Sequence, residues 1–69
     1  MAKYHTLLTK DGDNMWRPYF GDYSMAVVKQ ERLDVMYSYE LVAAQCKIIT
    51  TGDKQSDIDA EVRRLNNAG

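Results

Sequence analysis

Apolar and β-branched positions near the start of the chain predict two strands joined by a tight connection. The segment 3–9 is rich in strand-forming residues, and residues 15–20 form a second such run. The intervening residues 10–14 are turn formers. Their Asp11-Gly12 pair is typical of a hairpin, because glycine accepts the positive φ that a primed turn requires. We therefore expect a β-hairpin in this part of the chain.

The hydrophobic pattern leaves the register of this hairpin open. A two-residue loop sets Trp16 opposite Leu7, whereas a five-residue loop sets it opposite Leu8. Because successive side chains point to opposite faces of a strand, this single step decides which side chains are buried. Pro18 cannot donate a ladder hydrogen bond, so we expect the second strand at a sheet edge and the first strand in the centre.

A helix is predicted after Gly21, with Asp22 as its N-terminal cap and its first turn at Tyr23. The end of this helix stays open, because residues 40–45 are compatible with continued helix while the residues before them permit a turn. With a rotation of about 100° per residue, one side of this helix is expected to rest on the sheet. The residues on that side are Met25, Val28, Arg32 through its aliphatic stem, Val35, Met36 and Tyr39.

The last third of the chain predicts one more strand and one more helix. Residues 46–51 are apolar and β-branched and are followed by a Gly-Asp pair, which is typical of a strand that ends in a turn. The run Ser56-Asp57-Ile58-Asp59 resembles a capping box with Asp in place of Glu. Apolar residues then recur at helical spacing as far as Leu65.

Together these elements predict an α+β fold with the order β-β-α-β-α. If the third strand lies beside the first, the sheet is three-stranded, mainly antiparallel and ordered 2-1-3. Both helices are then expected on one face of the sheet, which leaves the other face open. A chain of 69 residues is expected to form a single small domain, 1–69, with a thin core.

Composition and charge narrow the possible functions. Nine Lys and Arg against ten Asp and Glu give a net charge of -1, so the field that would attract a phosphate backbone is missing and nucleic-acid binding is disfavoured. A lone Cys46 cannot form an intrachain disulfide. No run approaches the roughly 18 apolar residues of a membrane span. We therefore expect a cytoplasmic, water-soluble protein without membrane contact.

The sequence predicts no catalytic, cofactor or metal site. His5 is the single histidine and has no obvious nucleophile beside it, and Cys46 has no CxxC partner. The spacing of Asp11, Asp13 and Asp22 does not make a calcium loop, because Trp16 stands where that loop needs glycine. The glycines are isolated, so no phosphate-binding loop is present. We expect a protein that is not an enzyme and needs no cofactor.

Aromatic residues are the feature that could carry function. The chain has five Tyr, one Trp and one Phe, more large rings than a thin three-stranded fold can bury. Three interpretations stay open: core packing with wet tyrosine hydroxyls, a protein interface, or stacking on single-stranded bases. The candidate interface residues are Met15, Trp16, Arg17, Tyr19, Tyr23, Tyr37 and Tyr39.

Several short motifs resemble a group of small uncharacterised proteins of tailed phages and prophages. That group has a tryptophan-bearing hairpin that ends in Phe-Gly-Asp-Tyr, then a helix, a Lys-Ile-Ile strand and a closing helix that ends in Leu-Asn. This sequence departs from the group at residues 37–44, where a more polar connection is expected. The matching positions are Trp16, Phe20-Gly21-Asp22-Tyr23, Val28, Glu31, Asp34, Lys47-Ile48-Ile49 and Leu65-Asn66.

The group has no agreed activity, so what the resemblance implies about function comes from the context of an infected bacterium. The resemblance implies an accessory protein, expressed in the bacterial host cell, that binds a bacterial host or defence protein stoichiometrically and inhibits it. Homodimer formation is compatible with this expectation. The alternatives left open are a small nucleic-acid-binding regulator and a structural, self-associating domain with no inhibitory role.

Overall fold

The computed structural model describes residues 3–10 and 12–68. Their element order is the one that the hydrophobic pattern predicts, with an additional short 3-10 turn before the third strand. The elements are β1 (Lys3–Lys10), β2 (Trp16–Asp22), α1 (Met25–Ser38), the 3-10 turn (Ala43–Gln45), β3 (Cys46–Gly52) and α2 (Gln55–Ala68).

The three strands form one sheet in the order β2-β1-β3, and β1 pairs antiparallel with both neighbours. The α+β fold and the strand order predicted from the sequence are therefore confirmed. Pro18 lies in the edge strand β2, as expected for a residue without an amide hydrogen. The other edge is β3, which pairs with β1 without interruption from Lys3 opposite Gly52 to Thr9 opposite Cys46.

The hairpin register differs from both registers considered in the sequence. Trp16 lies opposite Lys10, not opposite Leu7 or Leu8, so both predictions were wrong. The strands are joined between Lys10 and Trp16, so the connection begins one residue later than the five-residue loop considered in the sequence. Within it, Asn14 takes a positive φ of 64° and the Asp13 carboxylate accepts a hydrogen bond from the Met15 amide at 3.1 Å. The predicted turn residue 11 lies outside the described residues.

One face of the sheet packs against α1. Leu7 on β1 is fully buried and forms the main core cluster with Val28 and Val35 of α1 and Cys46 of β3. Its direct neighbours on β2 and β3 are Phe20 and Ile48, which share the same face and pack on this cluster. Such a continuous apolar layer explains why this helix rests on the sheet.

The opposite face packs against α2. Leu8 follows Leu7 on β1, points to the other side and is also fully buried. Ile58 of α2 is buried over this face, where it lines a small cleft together with Thr6. The structure thus differs from the sequence prediction in helix placement: the two helices cover opposite faces, and neither face of β1 is open.

The boundaries of the helices also differ in detail. Ser24, not Asp22, is the N-cap of α1, because its Oγ accepts the amide hydrogen of Val27. Asp22 lies two residues before this N-cap, and its carboxylate accepts a hydrogen bond from the Ser24 amide at 2.8 Å. The uncertain end of α1 is at Ser38. α2 already begins at Gln55, before the predicted capping serine.

Candidate functional site

A bulge in β2 places Tyr19 on the surface of the molecule. Pro18 lies opposite Leu8 and Phe20 lies opposite Leu7, so Tyr19 has no partner residue on β1 and the register shifts there. Bulges of this kind re-aim a side chain without ending the strand. Phe20 therefore points into the α1 core while the Tyr19 side chain is 47% exposed.

The C-terminal end of α1 brings a second tyrosine to the same place. Tyr39 caps α1, is 63% exposed and meets Tyr19 edge to face, with ring centroids 6.4 Å apart and an interplanar angle of 76°. Aromatic pairs prefer this arrangement. Below the rings is an apolar depression of about 250 Å³, which we call the tyrosine cleft; it is lined by Thr9, Tyr19, Val35, Tyr39 and Leu41.

Carboxylates stand beside the tyrosine cleft. Glu31 and Asp34 of α1 line an adjoining depression of about 110 Å³ that shares both tyrosines with the cleft. Hydrogen bonding with the Tyr39 hydroxyl raises the pKa of Tyr19 above its ordinary value, and the negative charge of Glu31 adds to this shift. The site is therefore aromatic, apolar at its base and negatively charged on one side.

The hairpin end holds three of the predicted interface residues, but away from the cleft. Met15 is exposed, and the guanidinium of Arg17 forms an ion pair with Asp13, which lowers the pKa of that carboxyl. Trp16 is half-buried, and the ammonium of Lys10 lies 4.7 Å from the centre of its ring. These side chains stabilise the hairpin and do not line the cleft.

The remaining two candidates do not join the cleft either. Tyr23 donates a hydrogen bond from its hydroxyl to Asp53 at 3.1 Å, and its ring contacts that of Tyr4 edge to face at 4.9 Å. The bond to Asp53 raises the pKa of Tyr23. Tyr37 is 89% exposed near the end of α1. Of the seven predicted residues, only Tyr19 and Tyr39 line the cleft.

Sequence reasoning missed the residues that complete the site. Leu41 belongs to the segment whose structure was left open, and Thr9 was treated as an ordinary strand residue. In the sequence, Glu31 and Asp34 belong to the positions of the phage-type motif, and no place in a site is predicted for them. Their spacing of three residues, close to one helical turn, was the available signal that both carboxylates line the same side of α1.

The residues that could support catalysis or metal binding are engaged elsewhere. The Nδ1 atom of His5 is 2.9 Å from the Thr50 hydroxyl. Burial raises the pKa of the Cys46 thiol, which disfavours the reactive thiolate. Within residues 3–10 and 12–68, no three His, Cys, Asp or Glu side chains converge on a position suited to a metal ion. No helix in these ranges is long and apolar enough to cross a membrane.

The arrangement of rings and carboxylates can do one kind of chemistry well, which is non-covalent binding. Exposed tyrosine faces accept apolar groups and cations, and adjacent carboxylates favour the cations. Comparisons of the chain with protein-family models, with curated proteins and with solved structures found no match.

Proposed function

We propose that the protein is a stoichiometric binding module that holds a basic and apolar segment of a bacterial host or defence protein in the tyrosine cleft and thereby inhibits that protein. The observation that carries the proposal is the exposed pair of Tyr19 and Tyr39 over an apolar base with carboxylates beside it. Tyrosines in such positions are common anchors of protein interfaces.

The charge beside the cleft defines the partner's chemistry. A lysine or arginine of the partner that enters the cleft would lie against a tyrosine ring and near Glu31 and Asp34. A cation over an aromatic face contributes about 0.5–1 kcal/mol at an exposed site, and more when it is desolvated. An apolar side chain next to this cation would fill the base formed by Val35 and Leu41.

The assignment to a phage-type accessory protein rests on the sequence motifs. Trp16 and the Phe20-Gly21-Asp22-Tyr23 run carry that resemblance. Inhibition by occupation of a partner surface requires no catalytic group in the inhibitor. A site made of aromatic rings and carboxylates is therefore sufficient for inhibition of this kind.

Affinity capture with matched tyrosine variants tests the anchor. The tagged protein and its Tyr39→Ala and Tyr37→Ala variants are used to recover proteins from bacterial lysate. Both substitutions remove an exposed tyrosine from the same end of the α1 region, but only Tyr39 lines the cleft. We expect Tyr37→Ala to retain the partner and Tyr39→Ala to bind it at least about tenfold more weakly. Equal recovery by both variants would contradict the proposal.

A second comparison tests charge and inhibition. Glu31→Gln removes a carboxylate beside the cleft, and Asp59→Asn removes one from α2 on the opposite face of the sheet. We expect only Glu31→Gln to weaken binding and to reduce its salt dependence.

Inhibition is tested on the recovered partner itself. Titration of the partner with this protein should abolish the partner's own activity when the two are equimolar. Undiminished activity in the saturated complex would exclude inhibition.

A further inference from the structure

The second edge of the sheet differs from the first in being regular. β3 contributes seven residues that pair with β1 without a bulge, and it contains no proline. β2 carries Pro18 and the bulge at Tyr19, and both features prevent a further strand from pairing there. β3 is therefore the more regular edge, and its backbone after Cys46, whose carbonyl accepts a hydrogen bond from Arg32, is the part available for an additional strand.

A groove runs between this edge and α1. Leu33 of α1 forms part of its wall and is 57% exposed, although it is apolar. Ile48 of β3 provides a second apolar position beside it. The groove has a volume of about 500 Å³, and we call it the β3 groove; it is lined by Lys29, Arg32, Leu33, Cys46, Lys47 and Ile48.

The charged side chains of the β3 groove are all basic. Arg32 is fixed at the rim because its guanidinium donates hydrogen bonds to the carbonyl oxygens of Cys46 at 3.2 Å and Ala43 at 3.3 Å. These acceptors are neutral, so they orient the guanidinium without cancelling its charge. Lys47 lies near Glu61 and helps to lower the pKa of that carboxyl, which offsets part of the lysine's charge. A positive potential remains around Lys29 and Arg32.

We propose that the β3 groove binds an extended acidic segment of a partner polypeptide, which pairs with β3 as a fourth strand of the sheet. Main-chain hydrogen bonds to β3 would provide affinity, and alternate side chains would provide specificity. The partner's carboxylates would meet Lys29 and Arg32, and its apolar side chains would contact Leu33 and Ile48. This site is separate from the tyrosine cleft and does not rest on the function proposed for it.

Charge favours an acidic peptide over a second copy of this chain. Antiparallel pairing of β3 with β3 of another copy would bring Lys29 and Arg32 of both molecules to one seam. Like charges that an association brings close together disfavour that association. An acidic segment instead places opposite charges at the same positions, which also speeds the encounter of the two molecules.

Selection from an unbiased peptide library tests the chemistry of the occupant. The full chain is incubated with a yeast-displayed library of random dodecapeptides, and bound clones are sequenced. Because only every second side chain of a paired strand faces the groove, we expect the enriched peptides to carry Asp or Glu together with apolar residues at alternate positions along one face. Enrichment of basic peptides, or no enrichment over a naive library, would overturn the proposal.

Matched charge variants then locate the bound peptide. The enriched consensus peptide is labelled for fluorescence anisotropy and titrated with the Lys29→Glu and Lys54→Glu variants of the protein. Lys54→Glu is the control, because it makes the same change at an exposed residue before α2. We expect the dissociation constant to rise about tenfold or more for Lys29→Glu and to change by less than about twofold for Lys54→Glu. Equal effects of the two substitutions would overturn the assignment to the groove.

Amide NMR spectra distinguish strand pairing from other modes of binding. We expect the peptide to shift the amide signals of residues 46–52 and to lose affinity when its alternate backbone nitrogens are methylated. The Tyr39→Ala variant should bind the peptide normally, which separates this site from the tyrosine cleft. Peptide shifts confined to the tyrosine cleft, displacement by a single-stranded oligothymidine, or dimer formation through β3 in light scattering would each overturn the proposal.

Discussion

Thr6 is a polar residue in a fully covered part of β1. Its side chain is 3% exposed, and its Oγ1 has no hydrogen-bond partner among the residues that the structure describes. A buried hydroxyl without a partner costs about 1–3 kcal/mol. We expect Thr6→Val, which replaces the hydroxyl by a methyl group of similar size, to raise the free energy of unfolding by about 1 kcal/mol in urea denaturation.

Thr6→Ser is the control for this change, because it keeps the hydroxyl and removes the methyl group. It should not stabilise the protein. A Thr6→Val variant that unfolds at lower urea concentration than the wild type would show that the hydroxyl is hydrogen-bonded in solution, and it would contradict the prediction.

Tyr23 links stability to alkaline pH. Its hydrogen bond to Asp53 raises its pKa in the folded state above the unfolded value of about 10. The bond therefore contributes its full stability below pH of about 10 and loses it as pH rises through the higher folded pKa. We expect the urea midpoint to fall less between about pH 9 and 12 in Tyr23→Phe than in the wild type.

Tyr37→Phe serves as the matched control, because this side chain is almost completely exposed. Its alkaline profile should follow that of the wild type. Parallel profiles for Tyr23→Phe and the wild type would show that the Tyr23–Asp53 bond does not form.

The sequence predicted those features of the strands and helices that depend on local pattern. Strand and helix order, the edge position of β2 and the central position of β1 follow from hydrophobic period, turn residues and Pro18. Register could not be predicted in the same way. It depends on the left-handed backbone at Asn14 and on the bulge at Tyr19, and neither position carries the glycine that would have marked it.

The sequence predicted two residues of the tyrosine cleft but not their contact, for the same reason. Tyr19 and Tyr39 were selected because they are aromatic, but the contact between them depends on where α1 ends and how the chain turns at Glu40, which has a positive φ of 55°. Helix-forming residues continue past Ser38 in the sequence, so propensity did not define this turn.

The side chain of Asn66 joins the end of α2 to the start of β2. The Asn66 side-chain amide accepts a hydrogen bond from the Trp16 amide at 2.7 Å and donates one to the Trp16 carbonyl at 3.2 Å. This pair satisfies both backbone groups of a half-buried residue at the strand end. We expect Asn66→Ala to lower the free energy of unfolding by about 1–2 kcal/mol in urea denaturation.

Asn67→Ala makes the same chemical change at the next position, which is exposed. Its effect should stay within about 0.5 kcal/mol. If the two alanine variants were equally stable, the contact between α2 and β2 would contribute nothing to folding.

For the whole molecule, the net charge of -1 hides an uneven distribution. Glu31 and Asp34 lie on the side of α1 that faces the tyrosine cleft, whereas Lys29 and Arg32 line the β3 groove. One helix thus separates a negative surface at one sheet edge from a positive surface at the other. A summed charge could not reveal this separation, because it depends on which side of the helix each residue occupies.

Placement of the helices was also a whole-molecule property, although a signal for it was present. Leu7-Leu8 in β1 and Ile48-Ile49 in β3 are adjacent apolar pairs, which are typical of strands covered on both faces. A strand with one open face would instead alternate apolar and polar residues. The structure agrees with the paired pattern, because Leu7 lies beneath α1 and Leu8 is fully buried on the α2 face.

Leu7→Val and Leu8→Val test this two-sided arrangement. Each substitution removes one methylene group from a fully buried side chain, and each should lower the free energy of unfolding by about 1 kcal/mol in urea denaturation. Because the two side chains pack against different helices, the double variant should lose about the sum of the two effects. If the sheet were covered only on the Leu7 face, Leu8 would be exposed and Leu8→Val would leave stability unchanged.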